Sequence, residues 1–346
     1  MVNKSKQDGF FRRFAEKWQA NPLYSTGFVL ILMIILQTIA LGFNYPSFGA
    51  WFTSWGKNWI NILRNNAGVG IVALGMTFVI VSGGIDLAVG STLVAVGAVL
   101  MVLVNSYPTG LLTAAGITGF PAFLIGILAA LVMGCLIGSV NGFLIAKSKV
   151  PAFIATLGMM KICRSVTQQF MQTVGTKVPR EFLQIANAKI GGEIILPIIY
   201  WLVIAVALDL VARKTTFGRH VYAIGSNERA ARLSGINVEK VKALVYVLSG
   251  ALVSITAVIQ IARIGSMDYA NAGSGYEMDA IAAVVVGGTS MAGGKGSILG
   301  TVLGMLIIAV MNNLLNLVGV PPFLREAFKG FIVVAAVLLQ KKEKVS

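Results

Sequence analysis

Carboxylates next to apolar segments are the residues of this chain most suited to chemistry. Asp86 follows the apolar segment 61–81 across a Gly-Gly pair, and Glu277 and Asp279 stand at the start of another apolar segment. Ionisable groups at membrane depth are costly, and many are functional. Each of the three also lies where it could cap the following helix, so a structural role stays open beside a functional one. A single His220 and no cluster of His and Cys provide no set of metal ligands.

The sequence contains no motif of a nucleotide hydrolase. A P-loop needs Gly-x-x-x-x-Gly-Lys-Ser/Thr, and the nearest counterpart is the stretch from Gly288 to Gly296. One residue too many precedes Lys295, and Gly296 replaces the hydroxyl that would bind magnesium. Neither a Gly-x-Ser-x-Gly elbow nor a His-Glu-x-x-His helix occurs. We therefore expect a protein that is not an enzyme and binds no cofactor of its own.

Polar residues within the apolar segments suit a path for a neutral, hydroxylated solute. The candidates for a translocation path or gate are Asp86, Asn141, Thr156, Glu277, Asp279, Asn312 and Asn313. Hydrogen bonding between helices is the alternative for each uncharged member. The cations Lys161, Arg164 and Lys329 are expected to snorkel or to pair internally. The sequence offers no buried chain of Asp, Glu and His that could relay protons.

The composition places these residues in a polytopic membrane protein. Of 346 residues, 56% are hydrophobic and 12% charged, whereas a soluble domain carries about 25% charged residues. The net charge of +15 does not indicate nucleic acid, because Lys and Arg cluster at the ends of apolar segments. Cys135 and Cys163 lie in apolar segments and are expected to be free thiols. The first apolar run is too long for a cleavable signal peptide and predicts a retained span.

Ten apolar segments predict an all-α protein of about ten transmembrane helices with both termini in the cytosol. Their predicted bounds are 23–42, 61–81, 87–104, 120–146, 151–171, 194–212, 243–262, 278–291, 298–318 and 323–339. This topology puts 18 Lys and Arg on the N-terminal side and six on the other. It defines a basic tail (1–22) with a surface helix near 10–18, a membrane domain (23–340) and a cytosolic tail (341–346). The Trp-rich stretch 43–59 predicts an external interfacial belt.

Two pairs of short motifs indicate an inverted internal repeat. Asp86 and Asp279 each open a run of small residues, and Val150 and Val320 each begin a Val-Pro-x-Phe sequence. The ten-span topology puts the members of each pair on opposite membrane faces, as an inverted repeat requires. Glycine pairs at 83, 287 and 293 make the ends of the second and eighth segments candidates for a gate region.

The stretch 213–242 is the long polar interruption of the second half of the chain. It carries seven Lys and Arg against two Glu. Within it we predict a short helix of seven or eight residues, capped at its start by Ser226 or Asn227 and closed by Gly235. A solvated basic loop is one interpretation. The other is a docking helix that receives force from a partner, in which Ala231 and Gly235 tolerate little added bulk.

Four collinear motifs span residues 61–339. They begin at Ser82 (Ser-Gly-Gly-Ile-Asp-Leu-Ala-Val-Gly), Val150 (Val-Pro-Ala-Phe-Ile-Ala-Thr-Leu-Gly), Phe217 (Phe-Gly-Arg, then Ala-Ile-Gly-Ser-Asn-Glu-Arg) and Tyr276 (Tyr-Glu-Met-Asp-Ala-Ile-Ala-Ala-Val-Val-Val-Gly-Gly). Together they resemble permease subunits of bacterial ATP-binding-cassette importers for ribose, galactosides and related monosaccharides. Met278 is a mild variant, because the family typically has Glu just before this Asp.

The resemblance implies that residues 217–237 dock into a groove of a separate cytosolic ATPase, which would bind ATP and Mg²⁺. The residues expected at this coupling contact are Gly225, Asn227, Glu228, Ala230, Ala231, Leu233 and Gly235. The resemblance also implies a second permease subunit, expected to be an identical copy, and a periplasmic or lipid-anchored sugar-binding protein. The complex would import a neutral monosaccharide across the bacterial inner membrane.

Three alternatives stand beside this expectation. An ion-coupled secondary sugar carrier would also suit an inverted repeat, but the basic loop and the lack of a proton relay argue against it. A membrane-embedded transferase needs its acidic residues together, whereas the predicted topology splits Asp86 from Glu277 and Asp279. An importer permease for another small polar solute, such as a nucleoside, is the third alternative.

Overall fold

The computed structural model describes residues 22–106, 110–172 and 177–342. Within these ranges the chain is built from α-helices, and the described backbone forms no strand beyond an isolated bridge between Ile190 and Glu193. The surface helix predicted near residues 10–18 lies outside the described residues, as do nearly all of the N-terminal tail and the last four residues.

Fourteen α-helices follow one another along the described chain. They are α1 (Pro22–Leu41), α2 (Phe48–Val81), α3 (Val89–Val104), α4 (Leu111–Ala114), α5 (Gly119–Gly142), α6 (Ala152–Met171), α7 (Arg180–Asn187), α8 (Leu196–Lys214), α9 (Thr216–Ser226), α10 (Glu228–Leu233), α11 (Val238–Ile264), α12 (Tyr276–Val286), α13 (Ile298–Leu317) and α14 (Pro322–Lys342). A π-helical turn, Phe143–Lys147, continues α5.

Each of the ten predicted spans coincides with a helix, but the helices differ in length and polarity. Among the described residues, six helical segments are long and apolar enough to cross a membrane: α1, α2, α5 with its π-helical turn, α8, α11 and α13. The apolar helix α3 has 16 residues and α12 has 11, so both are shorter than a full crossing. The all-α membrane architecture expected from the sequence is confirmed at this level.

Helix α11 lies at the centre of the bundle and packs against α2, α3, α5 and α7. Its contact with α5 depends on a glycine at every fourth position of α5: a Cβ at Gly134 would clash with the carbonyl oxygen of Gly250, and one at Gly138 would clash with that of Tyr246. Small residues let membrane helices approach backbone to backbone, where van der Waals packing replaces the missing hydrophobic driving force.

Helices α3 and α12 are half-length because each follows an irregular segment that enters the bundle. Residues 82–88 run inward from the end of α2, and Asp86 reaches Ser249 of α11. Ser249 lies about 16 Å along the roughly 40 Å of α11, close to mid-depth. Residues 265–275 enter from the other end: Val178 donates to the carbonyl of Gly265, and Met267 packs against Gly97 of α3.

The two half-helices begin beside each other and run in opposite directions. A Cβ at Gly90, in the first turn of α3, would clash with the carbonyl oxygen of Gly273, just before α12. Helix α12 then runs toward Gly293, which lies against Gly225, whereas α3 runs toward Asn105. We call the end of the bundle that carries α9, α10 and residues 287–297 the coupling face, and the end that carries Asn105 the far face.

This arrangement corrects the placement of the carboxylates. The ten-span scheme separates Asp86 from Glu277 and Asp279 across the membrane, but both half-helices start inside the bundle at one level. Half-helices that start at mid-depth after irregular segments are typical of inverted repeats. The repeat expectation gains support, whereas the argument that these carboxylates lie on opposite faces was wrong.

Three predicted boundaries also differ. The second span extends back to Phe48, because the aromatic belt is itself helical and its rings stack along one side, as Phe48 does on Trp51 with ring centroids 5.7 Å apart. The eighth segment ends at Val286 rather than residue 291, because glycines 287 and 288 terminate the helix. The polar stretch 213–242 holds α9 as well as the short helix that the sequence predicts.

Candidate coupling surface and translocation path

Helix α10 is a six-residue helix with a cap at each end. The side chain of Asn227 accepts a hydrogen bond from the backbone N–H of Ala230 at 3.0 Å, so Asn227 is the N-cap and Ser226 is not. Gly235 has φ +82, the left-handed conformation that closes a helix at low cost. The predicted short helix is therefore present, one or two residues shorter than expected.

Ion pairs fix α10 to its neighbours. Glu228 accepts from Lys242 of α11 at 2.7 Å, and Arg232 donates to Glu239 at 2.8 Å. Lys149, in the turn before α6, approaches Glu239 at 3.5 Å. The hydrogen bond from Lys242 holds the pKa of Glu228 below its ordinary value. Because these pairs share members, they link α10 to the start of α11 and, through Glu239, to the α5–α6 turn.

The expected coupling residues divide into outward and inward groups. Leu233 is 90% exposed, and Ala230, Asn227 and Gly235 are exposed beside it. Ala231 is only 4% exposed and packs within the chain. A side chain at Gly225 would clash with the carbonyl oxygen of Val81. Bulk at Ala231 or Gly225 would therefore disturb internal packing before it met a partner.

A pocket of about 210 Å³ lies beneath α10 on the coupling face. It lies between the end of α2, the α5–α6 turn and the first turns of α10 and α11. Its lining residues are Ser82, Gly83, Gly84, Ile145, Lys149, Val150, Ala152, Glu228, Lys242 and Tyr246. The expected gate glycines at 83 and 84 thus line the same pocket as Glu228 of α10.

Asp86 is buried and anchors the irregular segment before α3. One carboxylate oxygen accepts from the backbone N–H of Ala88 at 3.0 Å, and the other accepts from the Ser249 hydroxyl at 3.0 Å. Tyr246 donates to the carbonyl of Ile85 at 3.3 Å in the same place. The arrangement holds this segment against α11 and keeps the carboxylate within the chain.

The two acidic residues of α12 have different surroundings. Lys329 of α14 contacts Asp279 at 3.0 Å and Glu326 at 3.0 Å, and the side chains of Lys329 and Asp279 are each 15% exposed. The internal pairing expected for Lys329 is therefore confirmed. Glu277 points toward the start of α3, where a Cβ at Gly90 would lie 2.9 Å from its Oε2 atom.

The uncharged path candidates lie within the subunit. Thr156 is buried and donates to the carbonyl of Ala152, one turn back in α6. Asn313 and Asn58 exchange two side-chain hydrogen bonds of 3.1 and 3.2 Å between α13 and α2. In the described part of the chain, the side-chain oxygens of Asn141 and Asn312 are buried and find no hydrogen-bond partner. The structure does not bring these candidates to one surface.

Arg164 has a role that the sequence did not specify. Its guanidinium donates to the carbonyls of Tyr269, Ala270 and Ala272 at 3.3, 3.2 and 2.8 Å, so it joins α6 to the irregular segment 265–275. The expected internal pairing of this cation is borne out, but with backbone carbonyls. The feature of the sequence that points to this role is the position of Arg164, a cation three residues after Lys161 in an otherwise apolar segment.

Within the described residues, no group of three or more His, Cys, Asp or Glu side chains could hold a metal ion. The contacts described above are packing, hydrogen-bonding and ion-pair contacts. The outward parts of the site are the exposed residues of α10 on the coupling face and the polar residues of α6 beside residues 265–275.

Comparison with known proteins identifies the family. The family model described as "Branched-chain amino acid transport system / permease component" matches residues 58–337. The chain is 42% identical over 323 residues to the ribose import permease protein RbsC of Escherichia coli (strain K12), covering 91% of this chain and 92% of that protein. No solved structure gives a significant match.

Two further relatives have similar coverage. The ribose import permease protein RbsC of Bacillus subtilis (strain 168) is 40% identical over 318 residues, 91% of each chain. The xylose transport system permease protein XylH of Haemophilus influenzae is 33% identical over 377 aligned positions, 91% of this chain and 96% of that protein. With its apolar helices, the chain is a multi-pass protein of the bacterial inner membrane. The family expected from the four motifs is thus confirmed, and this chain belongs to the permease components of the branched-chain amino acid transport system family.

Proposed function

We propose that this chain is the membrane permease of an ATP-binding-cassette importer for a neutral monosaccharide of the ribose type. The observation that carries the proposal is its similarity, over about nine-tenths of its length, to proteins named ribose import permeases. A pentose is favoured over larger sugars because a further relative is named for xylose transport. The permease is not itself an enzyme, and a separate ATPase subunit binds ATP and Mg²⁺.

The proposed contact with the ATPase is α10. Leu233 provides an apolar anchor, and Asn227, Glu228, Ala230 and Gly235 surround it. Ala231 and Gly225 contribute indirectly. Ala231 packs α10 against the chain, and Gly225, at the end of α9, lets the backbone there approach Val81 closely. An exposed leucine on an otherwise charged surface suits a groove in a partner, since fully buried apolar anchors dominate binding energy at protein interfaces.

The proposed topology has ten spans with both termini in the cytosol. The coupling face is then cytosolic, residues 213–242 form the coupling loop, and the membrane domain extends over residues 23–340. Short cytosolic tails, 1–22 and 341–346, complete the chain. The excess of Lys and Arg on the N-terminal side of the predicted spans supports this orientation.

The proposed assembly contains two permease copies, two ATPase sites and a periplasmic or lipid-anchored sugar-binding protein. ATP binding would close the ATPases and displace α10. The ion pairs of Glu228 and Arg232 would pass this movement to α11 and to the α5–α6 turn beside the coupling-face pocket. Asp86, Asn141, Thr156, Glu277, Asp279, Asn312 and Asn313 remain the candidates for the path or gate that this movement opens. Three of them, Asp86, Asp279 and Asn313, also join separate elements of the subunit.

Uptake of radiolabelled D-ribose and D-xylose tests the proposal. Cells that lack their own pentose permeases should gain saturable uptake when they express this chain with its ATPase and binding protein. Uptake should stop when a Walker motif of the ATPase is mutated. Transport by this chain alone, driven by a proton or sodium gradient, would contradict the proposal and favour a secondary carrier.

Leu233→Asp should abolish both uptake and co-purification of the ATPase, because it places a charge where an apolar anchor is buried on docking. The folded permease should persist, since Leu233 is 90% exposed. Lys240→Ala is the matched control, an exposed residue at the start of α11. If Leu233→Asp retained full ATPase binding, α10 would not be the docking helix.

A further inference from the structure

The outward surface of α6 differs from that of the other peripheral helices. Between residues 199 and 210, every exposed residue of α8 is apolar, and the same holds for α1 between residues 28 and 39. Such surfaces suit contact with lipid chains. In α6 the exposed residues include Lys161, Ser165 and Gln169.

These polar residues form one stripe along the second half of α6. Its members are Lys161, Ser165, Gln168, Gln169 and, at the C-cap just after the helix, Gln172. The spacings of three and four residues put them on the same side of a helix. Apolar Ile162, Val166 and Phe170 run beside the stripe, and Cys163 and Thr167 lie on the buried side. The stripe therefore points away from the subunit.

Within the described part of the chain, Lys161, Ser165 and Gln169 make no side-chain hydrogen bond or ion pair to another residue. Polar and charged groups left against lipid hydrocarbon are costly, so they face a bundle interior or a water-filled cavity. The bundle interior is excluded because the residues are exposed on the folded subunit. Water or a second permease copy is left to satisfy them, and the exposed irregular backbone beside them favours water.

The irregular segment 265–275 extends this polar surface. Arg164 binds three of its carbonyls, so the segment lies directly beside the stripe. Asp268, Asn271 and Ser274 are exposed on it. Non-helical backbone at membrane depth is tolerated only where it is buried in protein or lines a water-filled cavity. Two independent features thus indicate water at the same surface.

We propose that the stripe of α6, together with residues 265–275, is a wall of the water-filled path and binds the hydroxyl groups of the passing sugar. The assignment rests on the function proposed above. Glutamine and serine side chains both donate and accept hydrogen bonds, which suits a neutral polyhydroxylated solute. The ammonium of Lys161 adds three further hydrogen-bond donors to the wall.

Cysteine labelling tests the wall directly. Ser165→Cys and Gln169→Cys are placed in the full chain, assembled with its ATPase in membrane vesicles, after Cys135→Ser and Cys163→Ala remove the native thiols. A charged, membrane-impermeant methanethiosulfonate reagent should modify both cysteines, because only thiols in contact with water ionise and react. Val206→Cys, on the apolar outward surface of α8, is the matched control and should react at least tenfold more slowly. D-ribose should slow the modification of Gln169→Cys several-fold.

Each outcome bears on the proposal. Ser165→Cys and Gln169→Cys that react no faster than Val206→Cys would overturn it, even if ribose uptake were intact. Rapid disulfide formation between two copies without reaction toward the charged reagent would also overturn it, because the stripe would then be a dry seam between subunits. Reactive cysteines in a protein that takes up no pentose would support the water-filled wall while contradicting the proposed sugar.

Discussion

At the scale of single residues, the charged groups of this chain serve structure before they serve a solute. Asp86 holds the segment before α3 to Ser249, and Asp279 is neutralised by Lys329. Removing Asp279 would cost about 3–5 kcal/mol, because the charge of Lys329 would lose its buried partner. The sequence analysis identified these acidic residues as important. It could not predict which side chains they contact, since Asp86 and Ser249 are far apart along the chain.

The pH dependence of Glu228 is a prediction at this scale. The hydrogen bond from Lys242 lowers its pKa below the ordinary value of 4.5, so the folded state favours the ionised form. The ion pair therefore stabilises the fold above that value and stops doing so as the pH falls through the lowered pKa. Glu228→Gln should lower the melting temperature in detergent by about 1–2 °C at pH 7, consistent with a partly exposed pair worth less than about 1 kcal/mol.

The difference between Glu228→Gln and the unmutated protein should shrink steadily as the pH falls below 4.5, and should stay constant between pH 6 and 8. Lys240→Gln serves as the control, since it changes one exposed charge on the same face. A difference that grew on acidification would contradict the assignment of the ion pair.

At the scale of elements, the two half-helices depend on glycine at their meeting point. Gly90→Ala places a Cβ against the carbonyl oxygen of Gly273, which belongs to backbone and cannot swing aside. We expect a loss of about 1–3 kcal/mol from overpacking, measured as a lower melting temperature of the purified permease. Gly158→Ala is the matched control in α6, where nothing lies within 4 Å of the added methyl group.

Gly158→Ala should leave the melting temperature unchanged or raise it slightly, because alanine favours helix over glycine. Equal effects of the two substitutions would mean that α3 and α12 do not meet as described. The comparison separates the close backbone approach from the general cost of losing a glycine.

The sequence predicted those features that are set by neighbouring residues in the chain, and not those set by contacts between distant residues. Apolar length alone located the long helices, and an Asn N-cap with a closing glycine located α10. The half-helices were located within two residues of their starts, but their depth in the bundle was wrong, because it is set by the contact between Gly90 and Gly273, which no local pattern records. Of the polar stripe of α6, the sequence analysis singled out only Lys161, because the outward direction of the stripe appears only once Cys163 and Thr167 are known to be buried.

At the scale of the whole molecule, the two ends of the bundle should face different compartments. In a chain without native cysteines, Lys189→Cys on the far face should react with an impermeant maleimide in intact cells. Ser234→Cys, after α10, should react only once the membrane is opened. The expected orientation follows from the excess of positive residues on the coupling side.

If Ser234→Cys reacted in sealed cells, the coupling face would lie outside the cell. The assigned orientation would then be wrong, and a cytosolic ATPase could not dock on α10. Both substituted positions are exposed, so neither change should alter folding. Each cysteine serves as the control for the other, because the two lie on opposite faces of the same molecule.

The meeting of Gly90 with Gly273 has a consequence for biogenesis. About 180 residues separate the two glycines, so α3 leaves the ribosome long before the segment that completes its surroundings. At roughly 5–20 residues per second, that delay is on the order of ten to forty seconds. During this interval the nascent chain must shelter a half-length helix and the carboxylate of Asp86 without its final neighbours, so truncated chains that end before residue 265 should be substrates for membrane quality-control proteases.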